Sequence, residues 1–78
     1  MARDIGKIPP YSEEAEQSFL GALLIDSEAM IRVADRIDED DFYFDKHRMI
    51  FSTMLDLYAK HEPIDLLSLG NRLDERSQ

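Results

Sequence analysis

Two histidines, seventeen carboxylates and a few hydroxyls are the reactive side-chain types in this 78-residue chain, which has no cysteine. His47 and His61 fall at opposite ends of one predicted helix. The rise per residue puts them roughly 20 Å apart, too far to share a metal. Each reads as a surface or helix-end residue. The run Asp38-Glu39-Asp40-Asp41 invites a calcium reading, but that loop needs oxygen ligands at alternate positions and a glycine at its sharp turn. Counted from Asp38, the third ligand position is Phe42 and the turn position is Tyr43. The run therefore reads as a capped single turn that carries Phe42, and with it Phe44, inward as apolar anchors.

The remaining candidates have structural explanations. Ser12, Ser27 and Ser68 stand at or beside predicted helix starts, where capping accounts for a hydroxyl. Gly6, Gly21 and Gly70 are isolated, so there is no glycine-rich phosphate loop followed by lysine. A carboxylate works as an acid or base where its surroundings shift its pKa. In a chain of net charge -8, most carboxylates read as a solvated face. No catalytic, cofactor-binding or metal-binding residue is assigned, and the chain reads as non-enzymatic.

Composition narrows the partners. Nucleic-acid affinity rests on Lys and Arg neutralising phosphates, and 9 basic residues against 17 acidic ones oppose it. The same balance opposes an anionic membrane surface. No apolar run approaches the roughly 20 residues of a membrane span. The first seven residues lack the apolar core of a secretory signal. The expectation is a soluble cytoplasmic protein that binds neither nucleic acid nor membrane directly. A domain this small buries only roughly 60% of its unfolded surface, so packed apolar faces must supply its stability.

Those faces recur at helical spacing. Pro9 and Pro10 make residues 1–11 an extended arm, and Ser12 caps a helix from Glu13 to about Ile25. Its stripe is Ala15, Phe19, Ala22 and Leu23, widened by Leu20 and Leu24. Gly21 inside it predicts a close helix crossing, since glycine there costs up to about 1 kcal/mol. Asp26 or Ser27 caps a short segment through Met30, Val33, Ala34 and Ile37. Asp45 caps the strongest helix, Lys46 to about Lys60, whose stripe includes Ile50, Phe51, Met54, Leu57 and Tyr58. Glu62-Pro63 stops it, and Asp65 caps a last helix through Leu66, Leu69 and Leu73. The fold expected is all-α: a small orthogonal bundle of about four main helices plus a short helical turn, spanning residues 12–78. Asp74-Glu75-Arg76-Ser77-Gln78 holds no stop signal, so the last helix is expected to run on.

The order of short motifs resembles one family. Ile8-Pro9-Pro10, then Glu14-Ala15-Glu16-Gln17-Ser18 and Leu20-Gly21-Ala22-Leu23-Leu24, is similar to the opening of DnaB-type replicative helicases. Asp40-Asp41-Phe42-Tyr43, His47-Arg48-Met49-Ile50-Phe51 and Glu62-Pro63-Ile64-Asp65-Leu66 continue the likeness. Two positions depart from it. His61 stands where the family usually has glycine, and a non-glycine residue finds a left-handed helix stop costly. Phe19 replaces a smaller aliphatic.

The resemblance implies a protein that forms a hexameric ring and unwinds DNA with ATP and magnesium, through a C-terminal motor that these residues do not contain. It implies a place for this domain in the collar of the ring. Neighbouring N-domains, primase and a helicase loader are the implied partners, in the bacterial cytoplasm, and no partner contact is assigned to a numbered position. It also implies that the domain stops short of a helical hairpin. Two alternatives stand beside it. One is a helix-turn-helix DNA-binding domain reading with residues 46–60, which offer Lys46, Arg48 and Lys60. The other is a standalone helical adaptor, which the gene downstream of residue 78 would distinguish by the presence or absence of a P-loop.

Overall fold

The computed structural model describes residues 12–77, so the extended arm expected over residues 1–11 lies outside the described residues. Helix α1, Glu13–Ile25, opens as the sequence predicts: the Ser12 hydroxyl accepts from the Ala15 N–H at 3.1 Å. Glu13, Glu14 and Glu16 occupy its positive first turn. Leu20 and Leu23 go into the core.

A 3₁₀ turn, Ser27–Ala29, leads into α2, Met30–Val33. The side chain of Asp26 makes no cap bond, contrary to expectation. Its backbone carbonyl instead accepts from the Ala29 N–H at 3.0 Å. Helix α2 is also shorter than the segment expected to reach Ile37, although the Ile37 N–H still reaches the Val33 carbonyl at 2.9 Å. Met30 and Ile37 are both buried.

The acidic run folds as a single 3₁₀ turn, Glu39–Asp41. Asp38 accepts from the Asp40 N–H at 2.9 Å, and Asp41 accepts from the Asp38 N–H at 2.9 Å. This reciprocal cap occupies the Asp38 and Asp41 carboxylates of the run that suggested a metal loop, and Phe42 is buried directly after it. Its ring lies 5.2 Å from that of Phe51, and Phe19 completes the cluster at 6.0 and 6.3 Å.

Helix α3, Asp45–Ala59, is the central helix, and it buries Phe51, Met54 and Leu57. Its N-cap position is Phe44, with no side-chain cap, so Asp45 is the first helical residue and not the cap expected of it. Its far end is a left-handed stop. The Glu62 N–H reaches the Leu57 carbonyl at 2.9 Å and the His61 N–H reaches Tyr58 at 3.1 Å, the bond pair of a Schellman motif. His61 takes the left-handed position itself, with φ 59°. The turn geometry has been kept although glycine is absent.

Asp65 caps α4, Leu66–Arg76, by accepting from the Ser68 N–H at 2.8 Å. Arg72 then ties three elements together. It bonds Asp56 on α3, Glu62 after the stop, and Glu75 at 3.2 Å. The Asp56 carboxyl is held below its ordinary value, chiefly by that Arg72 hydrogen bond. Arg76 donates to the Thr53 hydroxyl at 2.7 Å and to Ser52 at 3.1 Å. The Thr53 hydroxyl itself donates to the Met49 carbonyl at 2.7 Å. Leu69 is the one α4 side chain fully in the core.

Candidate interaction surface

The deepest polar constellation joins α1 to the entry of α3. Glu16 is 0% exposed and His47 3%. His47 was expected at the surface or a helix end; it is a core residue, because its Nδ1 lies 2.6 Å from the Glu16 carboxylate. The same carboxylate accepts from the Tyr43 N–H at 2.7 Å and, more weakly, from Phe44 at 3.5 Å. Burial alone would raise the Glu16 carboxyl. The Tyr43 N–H, the His47 ring and the Phe44 N–H together outweigh burial and hold it below the ordinary glutamate value. Glu16 thus does from another helix what a local cap would have done, fixing the Phe42–Phe44 segment as the chain enters α3. The clue in the sequence is its register: Glu16, Leu20 and Leu23 share one face at i, i+4 and i+7.

One residue further round α1 is a different face. Gln17, Gly21 and Leu24 border an open groove of about 470 Å³. Lys46, His47 and Ile50 of α3 form its second wall. Leu66, Gly70 and Leu73 of α4 form the third. Leu66 is 74% exposed, so the apolar surface of the last helix is partly uncovered. The close crossing expected at Gly21 is not there. A Cβ at Gly21 would meet nothing within 4 Å, and the same holds at Gly70. Both glycines sit in helix interiors and face open space.

The other residues singled out for chemistry are not brought together. His61 is exposed at the far end of α3 from His47, and the acidic turn is occupied by its own cap. Ser12 caps α1, and the Ser68 N–H receives the Asp65 cap. Among the described residues, no group of three or more His, Asp or Glu is placed to hold a metal. None of the described helices is long and apolar enough to cross a membrane. The cations that a DNA-reading α3 would need are engaged. Lys46 pairs with Glu13, and Lys60 with Asp56 at 3.5 Å. Arg48 donates to the Phe42 carbonyl at 2.7 Å.

Comparison with known proteins agrees with the motif order. The model of the DnaB-like helicase N-terminal domain matches residues 8–78. The replicative DNA helicase DnaB of Buchnera aphidicola (from Schizaphis graminum) is 43% identical over 72 residues, 92% of this chain and 16% of that protein. That of Haemophilus influenzae is 42% identical over 69 residues, 88% of this chain and 15% of the relative. That of Mycobacterium leprae is 37% identical over 75 residues, 96% and 12%. The chain therefore spans less than a fifth of the length of these relatives.

Proposed function

The chain belongs to the DnaB-like helicase N-terminal domain family, and from that premise we propose that it is a non-catalytic protein-interaction and ring-assembly domain of a bacterial replicative DNA helicase. It contributes to the collar of a hexameric ring on the side that receives primase, in the bacterial cytoplasm. Neighbouring copies of the domain, primase and a helicase loader are its partners. Unwinding of DNA with ATP and magnesium belongs to a motor elsewhere in the parent protein.

One observation supports this reading above the rest. The domain uses its buried carboxylate and imidazole to hold a turn, while an apolar groove stands open on its surface. That is the arrangement of a scaffold with a free contact face. Its charge of -8 suits a part that meets proteins while another part holds DNA. The helix-turn-helix alternative finds no support, because α3 is the most buried helix and its cations are already paired.

The purified chain should hydrolyse no ATP and should bind duplex DNA only weakly at physiological salt. It should sediment as a complex when mixed with primase of the same organism. ATP hydrolysis by the pure chain overturns the non-catalytic reading. Absence of any primase complex, with the chain folded, overturns the primase assignment.

A further inference from the structure

We propose that α4 is a hinged helix: it undocks from the rest of the fold as a unit, about residues 63 and 64, and Arg72 and Arg76 are the latch that holds it shut. This motion lies within the chain and is independent of the partners named above.

The joint between α3 and α4 permits it. Helix α3 is finished by its own bonds, from the Glu62 N–H to the Leu57 carbonyl and from the His61 N–H to Tyr58. Helix α4 is started by its own cap, with Asp65 accepting from the Ser68 N–H. Between them stands Pro63, which has no N–H to give. Among the described residues, no backbone hydrogen bond joins residues 63–77 to residues 12–62. Rotation at positions 63 and 64 therefore swings α4 without breaking the hydrogen bonds of either helix.

The apolar hold on α4 is small. Its one fully buried side chain is Leu69, with Ile64 just before the helix and Leu73 partly buried. Leu66 and Leu67 are exposed. The aromatic cluster of Phe19, Phe42 and Phe51, with Met30, Met54 and Leu57, lies wholly outside α4.

Much of what holds α4 is polar. Arg72 and Arg76, four residues apart, share one face of the helix. Arg72 donates to Asp56 at 2.5 Å and to Glu62, and Arg76 donates to Thr53 at 2.7 Å and to Ser52 at 3.1 Å. All four acceptors lie before the joint, so every one of these bonds spans it. The Asp56 and Glu62 side chains are 31% and 41% exposed, open enough for salt to screen their pairs with Arg72. The grip on α4 thus responds to ionic strength, whereas burial of the aromatic cluster does not. Because α4 forms one wall of the groove, opening the joint moves that wall.

Native-state amide exchange, followed by NMR at rising urea, tests this. An undocked helix of 11 residues is marginal in water, so its amides exchange whenever it opens. In wild type, amides of residues 70–76 should exchange through an opening of smaller free energy and smaller urea dependence than those of residues 51–57, because undocking exposes less surface than global unfolding. Arg72→Met weakens the closed state from which both openings start. It should speed both sets about tenfold, equivalent to about 1.4 kcal/mol, and remove the acceleration of α4 by salt that wild type shows. Phe42→Leu weakens contacts that the opened form keeps. It should speed the α3 amides and leave those of α4 within about twofold of wild type. Equal openings for the two helices in wild type, or Phe42→Leu speeding both alike, overturns the hinge. An α4 opening that neither salt nor Arg72→Met changes overturns the latch.

Discussion

Replacing Glu16 removes more from this fold than any exposed carboxylate could. In Glu16→Ala the Tyr43 N–H loses its 2.7 Å acceptor, the Phe44 N–H its weaker one, and the His47 ring its only hydrogen-bond partner on α1. Taking the shared acceptor from several buried hydrogen bonds at once costs about 1–3 kcal/mol for each group left unsatisfied. The whole stability of a chain this size is roughly 4–12 kcal/mol, so the alanine variant should be largely or wholly unfolded. Glu16→Gln keeps one oxygen for the Tyr43 N–H and gives up the charge. Neutral hydrogen bonds are roughly half as strong as charge-assisted ones, and the expected loss is about 1–2 kcal/mol. Urea unfolding followed by circular dichroism, repeated across pH, separates the charge from the shape. The folded carboxyl sits below its ordinary value, so the unfolded chain takes up that proton more readily. The contribution of Glu16 is then full above its unfolded pKa of about 4.3 and lost as pH falls through the folded value. The gap between wild type and Glu16→Gln should accordingly be widest near neutrality and narrow below about pH 4. A glutamine variant as stable as wild type at neutral pH would refute the reasoning, as would a gap unchanged down the acid limb.

Other perturbations test other parts of the fold. Phe51→Ala empties the centre of the aromatic cluster with Phe42 and Phe19 and should cost about 3–5 kcal/mol in denaturant unfolding; a near-neutral effect would displace the core from α3. His61→Gly removes a side chain from a left-handed residue. Relief of about 1–2 kcal/mol, less the roughly 0.5–1 kcal/mol of added unfolded-state freedom, should leave a modest rise in Tm, and a fall would mean that the imidazole makes a compensating contact. Arg72→Met cuts α4 from Asp56 and Glu62. Its destabilisation should shrink as salt is raised, and a salt-independent loss would point to packing of the arginine stem instead. Amide exchange should be faster in α4, which has one fully buried residue, than in α3, which has five; the reverse order would contradict this account of α4.

What could be read from the sequence was what depends on neighbours along the chain. The caps at Ser12 and Asp65, the turn over Asp38–Asp41 that delivers Phe42, and the wide stripe of α3 all follow from local spacing. The misreadings concern positions settled across the fold. Asp45 looked like a cap by position, but the entry to α3 is held by a carboxylate 28 residues upstream of Phe44. His47 looked solvent-facing by type, because a composition of -8 makes any one carboxylate look solvated and hides the one that pairs with it. His61 shows the converse. Residue preference argued against a left-handed stop, yet the two Schellman bonds, the following Pro63 and the Arg72–Glu62 pair together impose it.

The sequence predicts a close helix crossing at Gly21, and the structure has none: a Cβ there would meet nothing within 4 Å. The reason lies in the register of α1. Positions 16, 20 and 23 face the core, and positions 17, 21 and 24 face the groove, one step or about 100° further round the helix. An apolar surface that wide exceeds what one neighbouring helix can cover. Helix α4 repeats the pattern, with Leu69 turned to the core while Leu66, Gly70 and Leu73 line the groove. Had the chain needed only α3 as a partner for these helices, polar residues and alanine would have served at positions 21, 66 and 70 at lower cost. Two helices thus carry the same second face, each with a glycine near its middle, and both open on one groove.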